Sequence, residues 1–250
     1  MMHTQKSLLA DLSRMGLTGN ESILVHSSMK SIGEVEGRAD GVLDALSLFF
    51  HDGLLLFPSF TYSSVNGNEG HDFYDVASTP ACTGILPELF WHRPGVLRSL
   101  HPTHSIAALG KKAAEFIAGH DTFNTAFNRK GPFGRLLDWN GKVLLIGVTL
   151  DRCTFIHALE EWAGVPMLSK EPIKLISKNH QKIDTPVDLY WHTGAHSEVF
   201  DRILPVFLEQ NVVKPVKFGD APTLLMDCRM AYDTLVPILR QNPSFFKNRD

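Results

Sequence analysis

His157 and Glu160 stand three residues apart in Leu150-Asp-Arg-Cys-Thr-Phe-Ile-His157-Ala-Leu-Glu160-Glu161, a run whose apolar spacing predicts a helix over Thr154 to Trp162. On a helix, positions i and i+3 or i+4 are neighbours, so the imidazole of His157 meets the carboxylate of Glu160 or Glu161. A carboxylate that orients an imidazole is what a general base needs; the alternative is a salt-bridged surface helix. The helix opens just past an apolar strand, where α/β sheets place their ligands, and this favours the functional reading. A second cluster is Arg98-Ser-Leu-His101-Pro-Thr-His104-Ser105. Its proline keeps the two histidines off a regular helix face and predicts an extended or turning backbone. Either one imidazole enters a site with Ser99, Thr103 and Ser105 beside it, or both rings bond to loop backbone.

A third cluster, Val25-His-Ser-Ser-Met-Lys-Ser-Ile-Gly33, follows an apolar strand at Ser22 to His26. Hydroxyls, backbone amides and the Lys30 ammonium suit an anionic ligand, although a solvated turn has the same composition. It matches neither GxxxxGK[ST] nor GxGxxG. The acidic loop Glu69-Gly-His71-Asp72-Phe-Tyr-Asp75 can attract a cation or can be an ordinary solvated loop. His192 and His196 are spaced i, i+4 but lack HExxH and flank Gly194, so they read as structural. Cys153, beside the expected helix start, reads as a small packed residue rather than a reactive thiol.

The elements that position these residues follow from periodicity. Helices are expected from Gln5 to Met15, Asp40 to Phe50, Gly84 to Trp91 and Glu198 to Leu208. Strands are expected at Ser22 to His26, Leu54 to Phe57, Lys142 to Val148 and Pro222 to Asp227, and Ser59 to Thr83 is expected as a long polar loop. Strand, helix, strand order predicts an α/β fold in three layers, with a mixed, largely parallel central sheet covered by helices. The 250 residues, 44% hydrophobic, suffice for a substantial core, and no composition break divides residues 1–250, which are therefore expected to form a single domain.

A formal charge of −3 leaves no positive field for nucleic acid or an anionic membrane. The longest apolar runs fall far short of the roughly 20 residues of a spanning helix. Three widely spaced cysteines and no apolar leader after the first residues suggest a reducing cytoplasm, and the absence of CxxC argues against a zinc ribbon.

Taken in order, VHSSMKSIG, LLLFPSFTYS, DFYDVASTPACTGILPELF, RSLHPTHSIAALG, GPFGRLLDWNGKVLLIGV and DRCTFIHALEEWAGVP resemble the aminoglycoside 3-N-acetyltransferase family, closely from Leu17 to Pro166 and loosely to the C-terminus. The resemblance implies acetyl-coenzyme A as acetyl donor, a small-molecule amine of the aminocyclitol class as acceptor, no metal, and a monomer or homodimer. It implies that His26, Ser27, Ser28, Lys30 and Ser31 meet the coenzyme, as do Arg98, His101 and Ser105. It also implies His157 as general base with Glu160, and His104 as a further participant. Asp72, Asp75 and Glu161 are expected to attract the cationic acceptor. The chain departs from the family at Glu36-Gly-Arg-Ala-Asp-Gly41, where a glycine pair is usual, and at Gly131-Pro132-Phe133, where Ser-Pro is frequent. The loop between Tyr62 and Asp72 is also short, which leaves room for a different small amine. A rival reading assembles His101, His104, His157 and Glu160 into a metal-dependent hydrolase.

Overall fold

The computed structural model describes residues 2–193 and 197–247. The chain begins with α1 (Gln5–Arg14), which Thr4 and Ser7 open as a reciprocal cap. β1 (Ser22–Ser27), α2 (Arg38–Phe49) and β2 (Leu54–Pro58) follow as a parallel βαβ unit. Next come β3 (Phe73–Asp75), α3 (Ile85–Trp91), β4 (Leu97–Arg98) and β5 (Ile106–Gly110). α4 (Ala113–Ile117) and α5 (Pro132–Asp138) lead to β6 (Lys142–Ile146) and α6 (Thr154–Ala163). The remainder comprises β7 (Ile173–Lys178), β8 (Asp184–Leu189), α7 (Leu204–Glu209), β9 (Val213–Phe218), β10 (Ala221–Asp227) and α8 (Cys228–Gln241).

Seven strands form one mixed sheet in the order β4-β5-β2-β1-β6-β10-β9. The α/β class and the mixed sheet are as expected, but parallel pairing is confined to β2-β1-β6; β5 and β4 on one flank and β10 and β9 on the other run antiparallel. The physical reason lies in the connections: β9 and β10 are joined by a two-residue turn at Gly219 and Asp220, which permits only an antiparallel hairpin. Side-chain alternation separates two cores. Ile23, Val25, Leu55, Phe57, Leu144 and Ile146 pack against α1, α2 and α3, whereas Leu24, Leu54, Leu56, Val143 and Leu145 pack against α4 to α8.

β1 hands the chain to β2 through α2 on one face, and β6 is reached through α4 and α5 on the other. The sheet order therefore reverses beside β1, and the carboxyl ends of β2, β1 and β6 open the crevice in which such sheets bind ligands.

The expected loop from Ser59 to Thr83 is interrupted by β3, which joins β7 and β8 in a small sheet over a core of Val65, Tyr74, Val76, Leu175, Val187 and Leu189. Proline at position 186 removes one donor from β8, which is tolerable because β8 is an edge strand. The helix expected over Glu198 to Leu208 divides into a 3-10 turn at Ser197–Ile203 and then α7, with Pro205 in the first turn of α7, where its missing N–H is harmless. No helix among the described residues is long and apolar enough to cross a membrane.

Candidate active site

A cavity of about 460 Å³ opens at the carboxyl ends of the parallel strands. β1 supplies His26 and Ser27, β2 ends at Pro58, and Val148 follows β6. Gly147 sits between β6 and Val148 at φ 63, and a Cβ there would stand 2.3 Å from the Ser31 Cβ, so only glycine lets the turn after β1 pack against the end of β6.

α6 brings His157 to the cavity wall. Glu160, one turn further on, is 3% exposed, and its Oε2 accepts from His157 Nδ1 at 3.0 Å. An ionised carboxylate only accepts, so Nδ1 carries a proton, and Nε2 is the nitrogen that presents a lone pair whenever the ring is neutral. The ring is held between Phe127 at 5.8 Å and Phe200 at 4.8 Å. Thr154, in the first turn of α6, ties back to β1 through its hydroxyl, 3.2 Å from His26 Nε2. Burial pushes the His26 imidazole down to about 3, so it bonds as a neutral ring and does not titrate in the neutral range.

His104 reaches the cavity from the turn at 102–104. Ser59 and Thr61 donate backbone N–H groups to the carbonyls of Ser105 and Thr103, each at 2.9 Å, which continues the pairing of β2 and β5 beyond the sheet. The His104 ring lies against Phe60 at 4.7 Å, and its Nδ1 is 2.8 Å from the Thr103 hydroxyl. Burial first, and then the charges of His101, His192 and His157, holds His104 well below the usual imidazole range. Tyr62 shares this wall, and burial, followed by Cys82, raises its phenol.

The small sheet closes the opposite wall. Leu189 at the end of β8, then Tyr190, Trp191 and His192, all face the cavity. Glu161 does not line it: Oε1 accepts from the Thr125 hydroxyl at 2.6 Å and Oε2 from His192 Nε2 at 3.1 Å. Two imidazole–carboxylate pairs therefore meet here, with the His157 and His192 rings 5.8 Å apart.

Comparison with known proteins decides the family. A profile described as Aminoglycoside 3-N-acetyltransferase matches residues 24–240. The chain belongs to the aminoglycoside 3-N-acetyltransferase family. Aminoglycoside N(3)-acetyltransferase IX from Micromonospora chalcea is 32% identical over 254 residues, covering 90% of this chain and 89% of that relative. Aminoglycoside N(3)-acetyltransferase III from Salmonella sp is 32% identical over 180 residues, 66% of this chain, and the match spans 63% of that relative's length. The solved structure described as AAC-IIIb binary with CoASH has a TM-score of 0.84 at 26% identity, covering 96% of this chain and 97% of that one.

Within this member of the aminoglycoside 3-N-acetyltransferase family, the residues singled out from sequence separate into groups. His26, Ser27, His104 and His157 line the cavity, with Glu160 directly behind His157. Ser28 and Ser31 lie on the turn after β1, where the Ser31 hydroxyl donates to Ser28 Oγ at 2.9 Å, and Lys30 is exposed on that turn. Neither the serines nor Lys30 lines the cavity among the described residues.

Arg98, His101 and Ser105 are drawn away from the cavity into the fold. The Arg98 guanidinium is 4% exposed and donates to the carbonyls of Ser59 at 2.9 Å and Thr79 at 2.6 Å, with its carbon 4.3 Å from the Trp91 ring. His101 is fully buried and its Nδ1 accepts the His104 N–H at 3.0 Å, so that nitrogen is engaged by backbone. Ser105 donates to the Ser59 carbonyl at 2.6 Å. Asp72 and Asp75 are likewise outside the cavity. The pleat turns Tyr74 inward, where its hydroxyl donates to the Ser99 carbonyl at 2.9 Å, and so turns the flanking positions outward, Asp75 pairing with Lys182 at 3.4 Å.

No group of three or more His, Cys, Asp or Glu among the described residues is arranged to hold a metal ion, and His101 in particular does not converge with His157 and Glu160. Cys153 is buried, and burial pushes its thiol up to about 12, which makes it packing and not a nucleophile. Cys153 occupies the N-cap of α6 without a side-chain bond. Phe60, Tyr62, Trp191 and His192 are cavity residues that sequence patterning did not identify. His192 had a sequence signal, its i, i+4 spacing with His196, but His196 lies outside the described residues. The residue that matters to His192 is Glu161, 31 positions away.

Proposed function

We propose that this chain transfers an acetyl group from acetyl-coenzyme A to an amine, with the 3-amino group of an aminoglycoside as the acceptor to test first, and that His157 is the general base. The observation that carries this reading is the His157 Nδ1 to Glu160 Oε2 bond of 3.0 Å at the wall of a cavity large enough for two substrate ends. The names of the relatives and the CoASH-bound neighbour support the choice of donor and acceptor class.

The coenzyme fits the β1 side of the cavity. Ser27 Oγ is buried there and makes no hydrogen bond to a described residue, so it is a polar atom available to a ligand amide. When bound, acetyl-coenzyme A supplies a thioester whose carbonyl carbon an amine can attack. An acceptor ammonium first loses one proton to solvent. His157 Nε2 then takes a second proton from the attacking nitrogen as the C–N bond forms, and passes it to the departing sulfur as the C–S bond breaks. Glu160, deeply buried, keeps the ring in the required tautomer and offsets its transient charge. With the Thr103 hydroxyl donating to its Nδ1, His104 presents an Nε2–H to the oxygen on which negative charge develops. Direct transfer is favoured over an acetyl-enzyme, since burial raises the Cys153 thiol to about 12 and leaves it 1% exposed.

The test is release of free coenzyme A thiol from acetyl-coenzyme A with and without a panel of aminoglycosides. Acceptor-dependent release supports the proposal. Coenzyme binding with no release by any panel member moves the acceptor to another amine, and no coenzyme binding overturns the reading.

A further inference from the structure

His192 is the second imidazole at the cavity and the mechanism above gives it no task. Its side chain is 9% exposed. Nε2 lies 3.1 Å from Glu161 Oε2, and Glu161 is itself fixed by the Thr125 hydroxyl at 2.6 Å. Because the ionised carboxylate accepts, Nε2 is the protonated nitrogen of the neutral ring and Nδ1 carries a lone pair. That Nδ1 is buried and makes no hydrogen bond among the described residues, an unusual state for a polar atom in a native interior. The backbone around it is held firmly: the Ser169 N–H donates to the Trp191 carbonyl at 2.7 Å, the Thr193 N–H to the Met167 carbonyl at 2.7 Å, and His192 bridges antiparallel to Leu168. The ring is thus prepositioned in the lining of the cavity that His157 also lines, the two rings 5.8 Å apart at 84°, and its buried Nδ1 needs only a small shift of the lining to meet an amine seated between them.

In their neutral forms the two imidazoles, each with one nitrogen committed to a carboxylate and one lone pair left over, make a matched pair of acceptors. A neutral primary amine has two N–H bonds and one lone pair. If one N–H is taken by His157 Nε2 and the other by His192 Nδ1, the amine lone pair has a single remaining direction, away from both rings. We propose that His192, held by Glu161, is the residue that grips the second N–H of the attacking amine and so aims its lone pair at the thioester. This inference rests on the acetyl-transfer reading and adds to it a residue that touches the acceptor. It also gives Glu161 a different task from the expected one, since its carboxylate serves His192 and does not meet the acceptor cation. A residue with this task selects primary amines over secondary ones, because a secondary amine has no second N–H to offer once His157 has taken the first.

The experiment compares wild type, His192→Phe and Glu161→Gln. Coenzyme A thiol release is measured with aminoglycoside acceptors, and acceptor binding is measured calorimetrically in the presence of coenzyme A, which allows binding without turnover. Thermal melting and coenzyme A affinity report folding. His192→Phe is expected to keep coenzyme affinity and to lose about 100-fold in kcat/KM for the acceptor, the penalty for a misdirected nucleophile. Glu161→Gln, whose amide can present either a donor or an acceptor to Nε2, is expected to lose about 10-fold, and it serves as the milder variant should the phenylalanine disturb the fold. A folded His192→Phe with wild-type kcat/KM overturns the inference, as does equal loss when Lys111→Ala, exposed at the amino end of β2 and so at the other end of the sheet from the cavity, is measured beside it. Should wild type release no thiol with any amine, the acetyl-transfer reading fails separately; the inference then survives only if an amine binds wild type and binds His192→Phe at least tenfold more weakly, and equal binding or no amine binding overturns it.

Discussion

The segments 98–105 and 150–161 carry the same kinds of residue, histidines with hydroxyls and charges, yet the fold uses them in opposite ways. In 150–161 the helix α6 buries Phe155, Ile156 and Leu159 and leaves His157 at the cavity with Glu160 beneath it. In 98–105 the end of β4 runs into a turn at 102–104 beneath neighbouring segments, where Arg98, Ser99, His101, Thr103 and Ser105 are all buried and only His104 reaches the cavity. A helix exposes one face by its geometry; a buried turn has no outward face, and its polar groups must satisfy the backbone around it. On the proposed function, chemistry belongs to the segment 150–161, and the segment 98–105, second in this comparison, serves stability.

That division is breakable. The largest effect is expected at His157→Ala: acetyl-transfer rate reduced by at least about 100-fold, with coenzyme A affinity near wild type by calorimetry and little change in melting. Near-wild-type turnover would move the base, most directly to His104. Glu160→Gln is expected to reduce the rate by about 10-fold or more, with melting also lowered because a buried group changes its bonding.

For the second segment the order of effects inverts. Arg98→Ala is expected to destabilise the protein by about 3 kcal/mol or more, because the Ser59 and Thr79 carbonyls lose a charged donor in a buried site, while the folded fraction keeps its kcat. Chemical denaturation paired with active-site titration separates the two quantities. A kcat loss matching that of His157→Ala would erase the contrast and place Arg98 at a substrate.

Acid stability sharpens the same distinction. Burial pushes His26 down to about 3, and likewise His120, which is buried with its Nδ1 2.8 Å from the Ser99 hydroxyl; His101 and His104 are also lowered, whereas the unfolded imidazole takes up its proton near 6.5. Between those values the unfolded chain binds more protons, so these rings contribute stability above pH 6.5 that is lost as pH falls toward 3. The expected slope is about 1.4 kcal/mol per pH unit for each histidine fully in this regime. Denaturation midpoints of wild type and His120→Gln across pH 4 to 7 check it, and the variant should show the shallower slope. The smallest effect is expected at Asp75→Asn, within about 0.5 kcal/mol in stability and less than about twofold in acceptor KM, since an exposed pair with Lys182 contributes little.

What could be read from sequence follows the range of the interactions. β1, β2, β6 and α6 are local patterns of burial, and the His157–Glu160 pair is three residues of one helix, so both were legible. The small sheet joins residues 73–75 to 173–189, and β7 and β8 carry mixed faces with too weak an alternation to announce a strand. His192 depends on Glu161 and on backbone pairing with 167–169, contacts that exist only once the chain has folded. Arg98 shows the converse: the resemblance assigns it to the coenzyme, and in the fold its guanidinium is received by five backbone and hydroxyl oxygens that no local pattern announces.

Glu160 and Glu161 are consecutive residues on α6, separated by about 100° around the helix axis, and each holds a different imidazole. The helix therefore sets two bearings at once, and they are fixed by residue count as well as residue type. A single insertion or deletion between His157 and Glu160 would swing both carboxylates off their rings together, even if every side chain were kept. Relatives that retain this double pairing should vary in the loops on either side of α6 while holding its length constant, so that gaps in aligned sequences, more than substitutions, mark where the pairing has been given up.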